Sequence, residues 1–179
     1  MASPSKAKGN RFESEVAKAL TIWSGKTFQR TPSSGALRWS GTFWTFGDLT
    51  PPEDFKFVIE CKSYEDASDF LVRLLLPNCE TESDASTSFC SWWYRQAVAD
   101  AERASAQLGR TFGALLFWKQ THQKARICID AEVYGKLPAD IRAKLACFWV
   151  CLPNRRPFMV IDMAAFLQHV SYDALGLLL

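Results

Sequence analysis

The chain has few of the residues on which several common chemistries depend. Its 179 residues include only two histidines, which disfavours catalysis by a histidine base. The six cysteines form no C-x-x-C pair, so we predict reduced thiols in a cytoplasmic protein rather than a zinc site or a disulfide framework. No apolar run reaches about 18 residues and no hydrophobic leader is present, so neither a membrane span nor a secretory signal is expected.

The charge is small overall but unevenly distributed. The formal net charge is +2, yet residues 1–40 contain seven Lys or Arg against two Glu. Residues 63–89 contain six acids against one Arg. A basic segment packed near carboxylates suits a polyanion held over a metal ion, although a basic N-terminus is also often merely solvated.

The most informative stretch is 46–62, FGDLTPPEDFKFVIECK. Two consecutive prolines cannot join a sheet ladder, so they predict a turn between two short strands. The first strand should end at Asp48, and the second should run over 55–62. Because side chains alternate between the faces of a strand, Glu60 and Lys62 should share one face.

Two carboxylates beside one amine predict a divalent metal site. Asp48 and Glu60 offer the oxygen ligands that Mg²⁺ or Mn²⁺ takes, and the carbonyl of Cys61 is a natural further ligand. Lys62 could orient the attacking water of a phosphodiester hydrolysis or stabilise developing negative charge. The alternative is that Glu60 and Lys62 form only a solvated ion pair on an ordinary globular protein.

The N-terminal region predicts one helix and one flexible tail. Residues 1–8 are expected to be a disordered basic tail, in which Lys6 and Lys8 are free to contact phosphates. A helix should begin near Asn10, since Asn10 and Glu13 have the spacing of a capping box. On this interpretation alone, Glu13 does no more than cap the helix.

These residues together resemble a known enzyme superfamily. Asp48 followed by Glu60-Cys61-Lys62 resembles the bipartite motif of the PD-(D/E)XK nucleases, with Gly47 where the name of the motif has Pro. The segments GNRFE at 9–13 and RTPSSG at 30–35 resemble the Holliday junction resolvase branch, which includes phage-encoded members. The resemblance covers about residues 6–118, and more loosely the tail.

The resemblance implies a fold and further site residues. The fold class is α/β, a restriction-endonuclease-like αβββαβ core with a mixed sheet flanked by helices and a C-terminal strand and helix extension. The whole chain, 1–179, would be one nuclease domain with an insert at 63–91. Glu13 would reach the metal or its water shell, and Gln96 would orient the water or a phosphate. Candidate DNA-binding residues are Lys6, Lys8, Arg11, Arg30, Ser34, Arg38 and Arg95.

The remaining elements follow from periodicity and turn residues. We predict helices at 67–76, 92–108, 139–145 and 164–170, and strands at 27–30, 111–118, 125–131, 148–152 and 158–161.

The function implied is a metal-dependent DNA endonuclease, most like a Holliday junction resolvase. Such an enzyme would act on branched DNA as a homodimer, since it cuts two strands symmetrically. The alternatives are a nuclease of the same fold that acts on flaps, single strands or a restriction-like site, and a catalytically silent DNA-binding protein.

Overall fold

The protein is seen in a computed structural model, which describes residues 4–31, 46–64, 91–152 and 154–179. The predictions for Ser34, Arg38 and most of the 63–91 insert, including its helix at 67–76, lie outside the described residues. Within them, the chain begins with a helix, three strands, a helix and a strand, which confirms the predicted αβββαβ order.

Helix α1 spans Pro4–Ser24 and lies against one face of the sheet. Its Phe12, Val16 and Leu20 recur at helical spacing and are buried in the core. The helix ends at Gly25, whose φ of 69° lies in the left-handed region that glycine adopts without a steric penalty.

The beginning of α1 differs from the prediction. Residues 4–8 are helical, so the expected disordered tail is wrong for this part of it. Asn10 therefore lies inside the helix and cannot act as its N-cap, and the capping box with Glu13 is wrong as well. The side chains of both residues bind Arg30 instead.

Two very short strands follow α1. Strand β1 (Gln29–Arg30) pairs antiparallel with β2 (Leu49–Thr50), separately from the main sheet. Asp48 lies immediately before β2 rather than at the end of a strand, which corrects the predicted boundary. Its carbonyl accepts a hydrogen bond from Thr31 N at 2.9 Å, so Asp48 still extends the pairing by one residue.

Five strands form the mixed main sheet, which has the order β3-β4-β5-β7-β6. They are β3 (Phe57–Tyr64), β4 (Gly113–Gln120), β5 (Arg126–Asp130), β6 (Cys147–Val150) and β7 (Phe158–Asp162). Strands β3 and β4 are parallel and all other pairs are antiparallel. Each lies within a few residues of its predicted position, and β3 extends into the first two residues of the predicted insert.

The helix between β3 and β4 has two parts. A π-helical segment, Ser91–Val98, continues into the regular helix α2, Ala99–Leu108, where one helix was predicted over 92–108. Gly109, with φ of 64°, ends it.

The two faces of the main sheet carry different helices. The α1 face presents Phe57, Ile59 and Cys61 of β3 to α1. The α2 face presents Val58, with Leu116 and Trp118 of β4, to the small residues and Trp93 of the helix above it. The alternation predicted for β3 is therefore confirmed, and Glu60 and Lys62 belong to the α2 face.

Four short helices complete the chain: α3 (Ala131–Gly135), α4 (Ala139–Arg142), α5 (Met163–His169) and α6 (Tyr172–Gly176). The first and last of these were not predicted. No described helix combines the length and apolarity needed to cross a bilayer. The architecture is that of a restriction-endonuclease-like α/β fold.

Candidate active site

Asp48 is fixed against the outer edge of β3. Its backbone N donates to the carbonyl of Ile59 at 2.8 Å, and its carboxylate Oδ2 accepts from the N–H of Cys61 at 2.8 Å. The carboxylate thus takes the place of a neighbouring strand's carbonyl. Asp48 is buried, so these hydrogen bonds compensate for part of its lost hydration.

The backbone conformation and the close packing at the outer edge of β3 require glycine at position 47. Its φ is 74°, and a Cβ built on it would lie 2.4 Å from the carbonyl oxygen of Ile59. Proline cannot occupy this position, because its ring fixes φ near about −65°. The departure from the proline in the name of the motif therefore has a steric reason, and it leaves the carboxylate that follows in place.

A residue of α2 also binds the backbone at Gly47. Asp100 of α2 accepts a hydrogen bond from Gly47 N at 3.3 Å, and Arg103 binds the other oxygen of Asp100. No local sequence pattern predicts this contact, because residues 47 and 100 are joined only by the tertiary fold.

Glu60 and Lys62 meet Asp48 on the α2 face. Lys62 Nζ donates to Glu60 Oε2 at 2.9 Å and lies 3.8 Å from Asp48 Oδ2. Glu60 is 6% exposed, whereas the Lys62 side chain is 23% exposed, so the amine is the part of this cluster most open to solvent. The structure therefore brings together the three residues predicted to form the centre of the site. We call Asp48, Glu60 and Lys62 the acidic cluster.

Burial and mutual repulsion change the proton affinities of this cluster. Burial raises the pKa of Glu60 to about 7, the Asp48 carboxylate adds to the rise, and Lys62 opposes it. Burial acts to lower the pKa of Lys62, but the carboxylates of Glu60 and Asp48 outweigh it and the pKa is raised. Lys62 is thus a cation at neutral pH, and one cation is too little to neutralise two carboxylates.

The donor set of the acidic cluster fits a hard divalent cation. The two carboxylates of the cluster converge and are both buried. The raised pKa of Glu60 is what is expected of a site with too little positive charge. No three or more His, Cys, Asp or Glu side chains in the described ranges are arranged to hold a metal ion. The two carboxylates would therefore need water, backbone or phosphate oxygens to complete the coordination.

Cys61 offers its backbone rather than its thiol. Burial raises the pKa of the thiol well above its ordinary range, so it stays neutral and is a poor ligand. The N–H of Cys61 points to the outer edge of β3, where Asp48 accepts it. In a strand the carbonyl of the same residue faces the same edge, so the predicted carbonyl ligand lies on the side of the Asp48 carboxylate.

Glu13 has a different partner from the one predicted. Arg30 Nε donates to Glu13 Oε2 at 2.7 Å, and the same guanidinium donates to Asn10 Oδ1 at 2.7 Å. Glu13 is buried and lies near Cys61, since its charge contributes to the raised pKa of that thiol. Arg30, predicted to contact DNA, therefore also neutralises Glu13.

The other candidate residues make no described contact with the acidic cluster. Gln96 and Arg95 belong to the π-helical segment on the α2 face, and none of the described contacts joins them to the cluster. Arg11 is exposed and pairs with Glu15 at 3.3 Å on the surface of α1. Lys6 and Lys8 lie in the first turns of the same helix.

Comparison with known protein families identifies a family to which the chain is similar. A family model described as "Phage putative PDDEXK endonuclease" matches residues 4–170 of the chain. Neither the curated proteins nor the solved structures contain a match.

Proposed function

The chain belongs to the phage PDDEXK endonuclease family, and from this premise we propose that it hydrolyses phosphodiester bonds of DNA with the help of a divalent metal ion. Family membership supports nuclease activity in general. The observation that carries the more specific proposal is the convergence of Asp48, Glu60 and Lys62, with the amine 2.9 Å and 3.8 Å from the two carboxylates.

Asp48 and Glu60 would hold the ion, Mg²⁺ or Mn²⁺, together with the carbonyl of Cys61. When bound, such an ion supplies charge neutralisation and Lewis acidity to a phosphate ester. Its binding also replaces the proton that Glu60 would otherwise retain near neutral pH.

Lys62 would act on the reacting atoms directly. Its amine is held by Glu60 and is the most exposed part of the acidic cluster. An ammonium group fixed there can donate to the attacking water or to a phosphate oxygen as negative charge develops. Glu13 and Gln96 are proposed to order water around the site. Arg30 would hold the Glu13 carboxylate in place through its hydrogen bond at 2.7 Å.

For the substrate we propose branched DNA, as for a Holliday junction resolvase that acts as a homodimer. The support is the resemblance of residues 9–13 and of the segment that begins at Arg30. Arg11 is 85% exposed at its side chain and could reach a phosphate, because its only described partner is an exposed glutamate.

Lys62→Ala tests the catalytic proposal. Cleavage should fall by about 100-fold or more, while DNA affinity is retained, because the ligands stay and only the amine is lost. Lys119→Ala is the matched control, since Lys119 pairs with Glu15 on the α1 face at a similar exposure. Cleavage by Lys62→Ala at the wild-type rate would contradict the role of the amine.

A panel of four-way junction, flap, single-stranded and linear duplex DNA tests the substrate. We expect cleavage in Mg²⁺ or Mn²⁺, no cleavage in chelator, and the highest kcat/KM on the junction. Preference for linear duplex would indicate a restriction-like enzyme. Binding without cleavage in any divalent metal would show that the protein is catalytically silent.

A further inference from the structure

Arg126 lies on the same face of the sheet as the acidic cluster. In the register of the sheet, Lys62 is opposite Trp118, and Trp118 is opposite Arg126. Facing residues on neighbouring strands project from the same face. Strands are about 4.8 Å apart, so Arg126 begins about 10 Å from Lys62 along this row.

Two aromatic rings hold the guanidinium of Arg126. Its Cζ lies 5.8 Å from the centre of the Trp118 ring and 5.7 Å from that of Phe148. A guanidinium stacked on rings keeps its charge and its in-plane N–H groups available while its orientation is restricted. Phe148 is 57% exposed, so one wall of this arrangement is open to solvent.

The donors of Arg126 have no acceptor among the described residues. Across the described ranges, its guanidinium makes no hydrogen bond and no ion pair, although it is half-buried. Asp162 is directly opposite on β7, but its carboxylate accepts from Ala165 N at 3.0 Å and caps α5. Gln120, two residues along β4 from Trp118, is 6% exposed, and its Nε2 has no partner among the described residues either.

A guanidinium of restricted orientation, with no acceptor in the part of the chain that the structure describes, fits an anionic ligand. Arginine binds phosphate through two parallel N–H groups, and charge-assisted bonds of this kind are stronger than neutral ones. A duplex strand advances about 3.4 Å along the helix axis per nucleotide, and successive phosphates are farther apart than this rise, so a separation of about 10 Å spans at most about three nucleotides.

We propose that Arg126 binds a backbone phosphate of the DNA strand, within about three nucleotides of the phosphate at the acidic cluster. The inference rests on the proposed nuclease function and adds a substrate-binding residue to it. Trp118 and Phe148 position the guanidinium, and the contact recognises backbone rather than base sequence.

The first test is the salt dependence of binding. Arg126→Gln should weaken binding to junction and duplex DNA in chelator by about 10-fold to 100-fold. It should also reduce the slope of log K against log salt by about 1, because one phosphate contact is lost. A purely structural role would not change that slope.

Arg142→Gln is the matched control. It removes the same charge from α4, whose neighbour Ile141 packs against the core of the α1 face. An unchanged slope for Arg126→Gln, or an equal loss in Arg142→Gln, would overturn the proposal.

The second test needs no altered protein. Wild-type protein is bound to DNA in which one phosphate at a time is replaced by a neutral methylphosphonate. We expect affinity to fall at a phosphate within about three nucleotides of the cleavage site, in addition to the cleavage site itself. Interference confined to the cleavage site would contradict the inference while leaving the nuclease proposal intact. A wild-type protein that binds no DNA would contradict both.

Discussion

The two ends of segment 55–62 serve opposite purposes. At its beginning, Phe55 and Phe57 are fully buried among other aromatic rings. Towards its end, Glu60 is also buried, but it meets another carboxylate and an amine. The aromatic residues at the beginning of this segment stabilise the fold, whereas the buried carboxylate near its end destabilises it.

The difference shows how the site depends on its surroundings. Ring contacts at the apolar end need no ligand, and they fix the strand on which the polar end is carried. The acidic cluster is under-neutralised without a further cation, so its stability depends on pH and on metal. Substitutions at the apolar end should therefore change stability, and those at the polar end should change activity and stability in opposite directions.

Phe55→Ala should have the largest effect on stability. Phe55 packs on Phe28 at 5.2 Å and stacks on Tyr172 at 5.5 Å, so its removal should lower the free energy of unfolding by about 3 to 5 kcal/mol. Denaturant unfolding measures this, and cleavage by the folded fraction should remain. Phe148→Ala is the control for stability, since the same truncation at an exposed ring should change it by less than about 0.5 kcal/mol. An equal loss of unfolding free energy in Phe55→Ala and Phe148→Ala would show that burial of Phe55 at the apolar end is not what stabilises the fold.

Glu60→Gln should stabilise the protein in chelator while abolishing cleavage. The folded pKa of Glu60 is raised from 4.5 to about 7, so the native state binds the proton more tightly than the unfolded state does. Wild-type stability should then fall as pH rises from 4.5 to about 7, and the variant should lack this fall. At pH 8 the variant should be more stable by about 1 to 3 kcal/mol.

Denaturant unfolding at pH 5 and pH 8 in chelator checks this expectation. Glu53→Gln makes the same change at an exposed position and should have little effect. Added Mg²⁺ or Mn²⁺ should stabilise the wild-type protein and not Glu60→Gln, because the variant lacks one ligand. Lower stability of Glu60→Gln at pH 8 would show that Lys62 more than compensates for the buried charge.

The centre of the site was predictable because it depends on local geometry. Strand alternation places Glu60 and Lys62 on one face, and a short turn returns the chain beside Asp48. The order of helices and strands followed in the same way from periodicity and turn residues. Asp130 and Ser171 cap α3 and α6 in the structure, but neither helix was predicted, because helices of five residues have too little periodicity to be recognised.

The contacts that orient the site were not predictable. Asp100 with Gly47, Arg30 with Glu13, and Arg126 with Phe148 join residues that no local pattern relates. Glu13 illustrates the consequence, because its spacing from Asn10 fits a helix cap while its actual partner comes from β1. Partners of this kind are determined by tertiary packing, which a single sequence does not reveal.

Tyr172→Phe should have the smallest effect and gives the finest test of the apolar end. The hydroxyl of Tyr172 donates to Asp54 Oδ1 at 3.0 Å, and Lys26 binds the other oxygen of that carboxylate. Loss of this hydrogen bond should lower the free energy of unfolding by about 0.5 to 1.5 kcal/mol at pH 7, since the ring contacts remain. Cleavage should be unchanged.

The dependence of that loss on pH separates the hydrogen bond from packing. The Lys26 hydrogen bond, with help from Tyr172, lowers the pKa of Asp54, so the carboxylate's contribution is present at neutral pH and disappears as pH falls through this lowered pKa. The difference between Tyr172→Phe and wild type should shrink over the same range. Tyr134→Phe is the control, because its hydroxyl makes only longer contacts, 3.4 Å to the Arg142 carbonyl and 3.5 Å to Cys147 Sγ. A loss that is independent of pH would mean that the hydroxyl of Tyr172 stabilises the protein without help from the charge of Asp54.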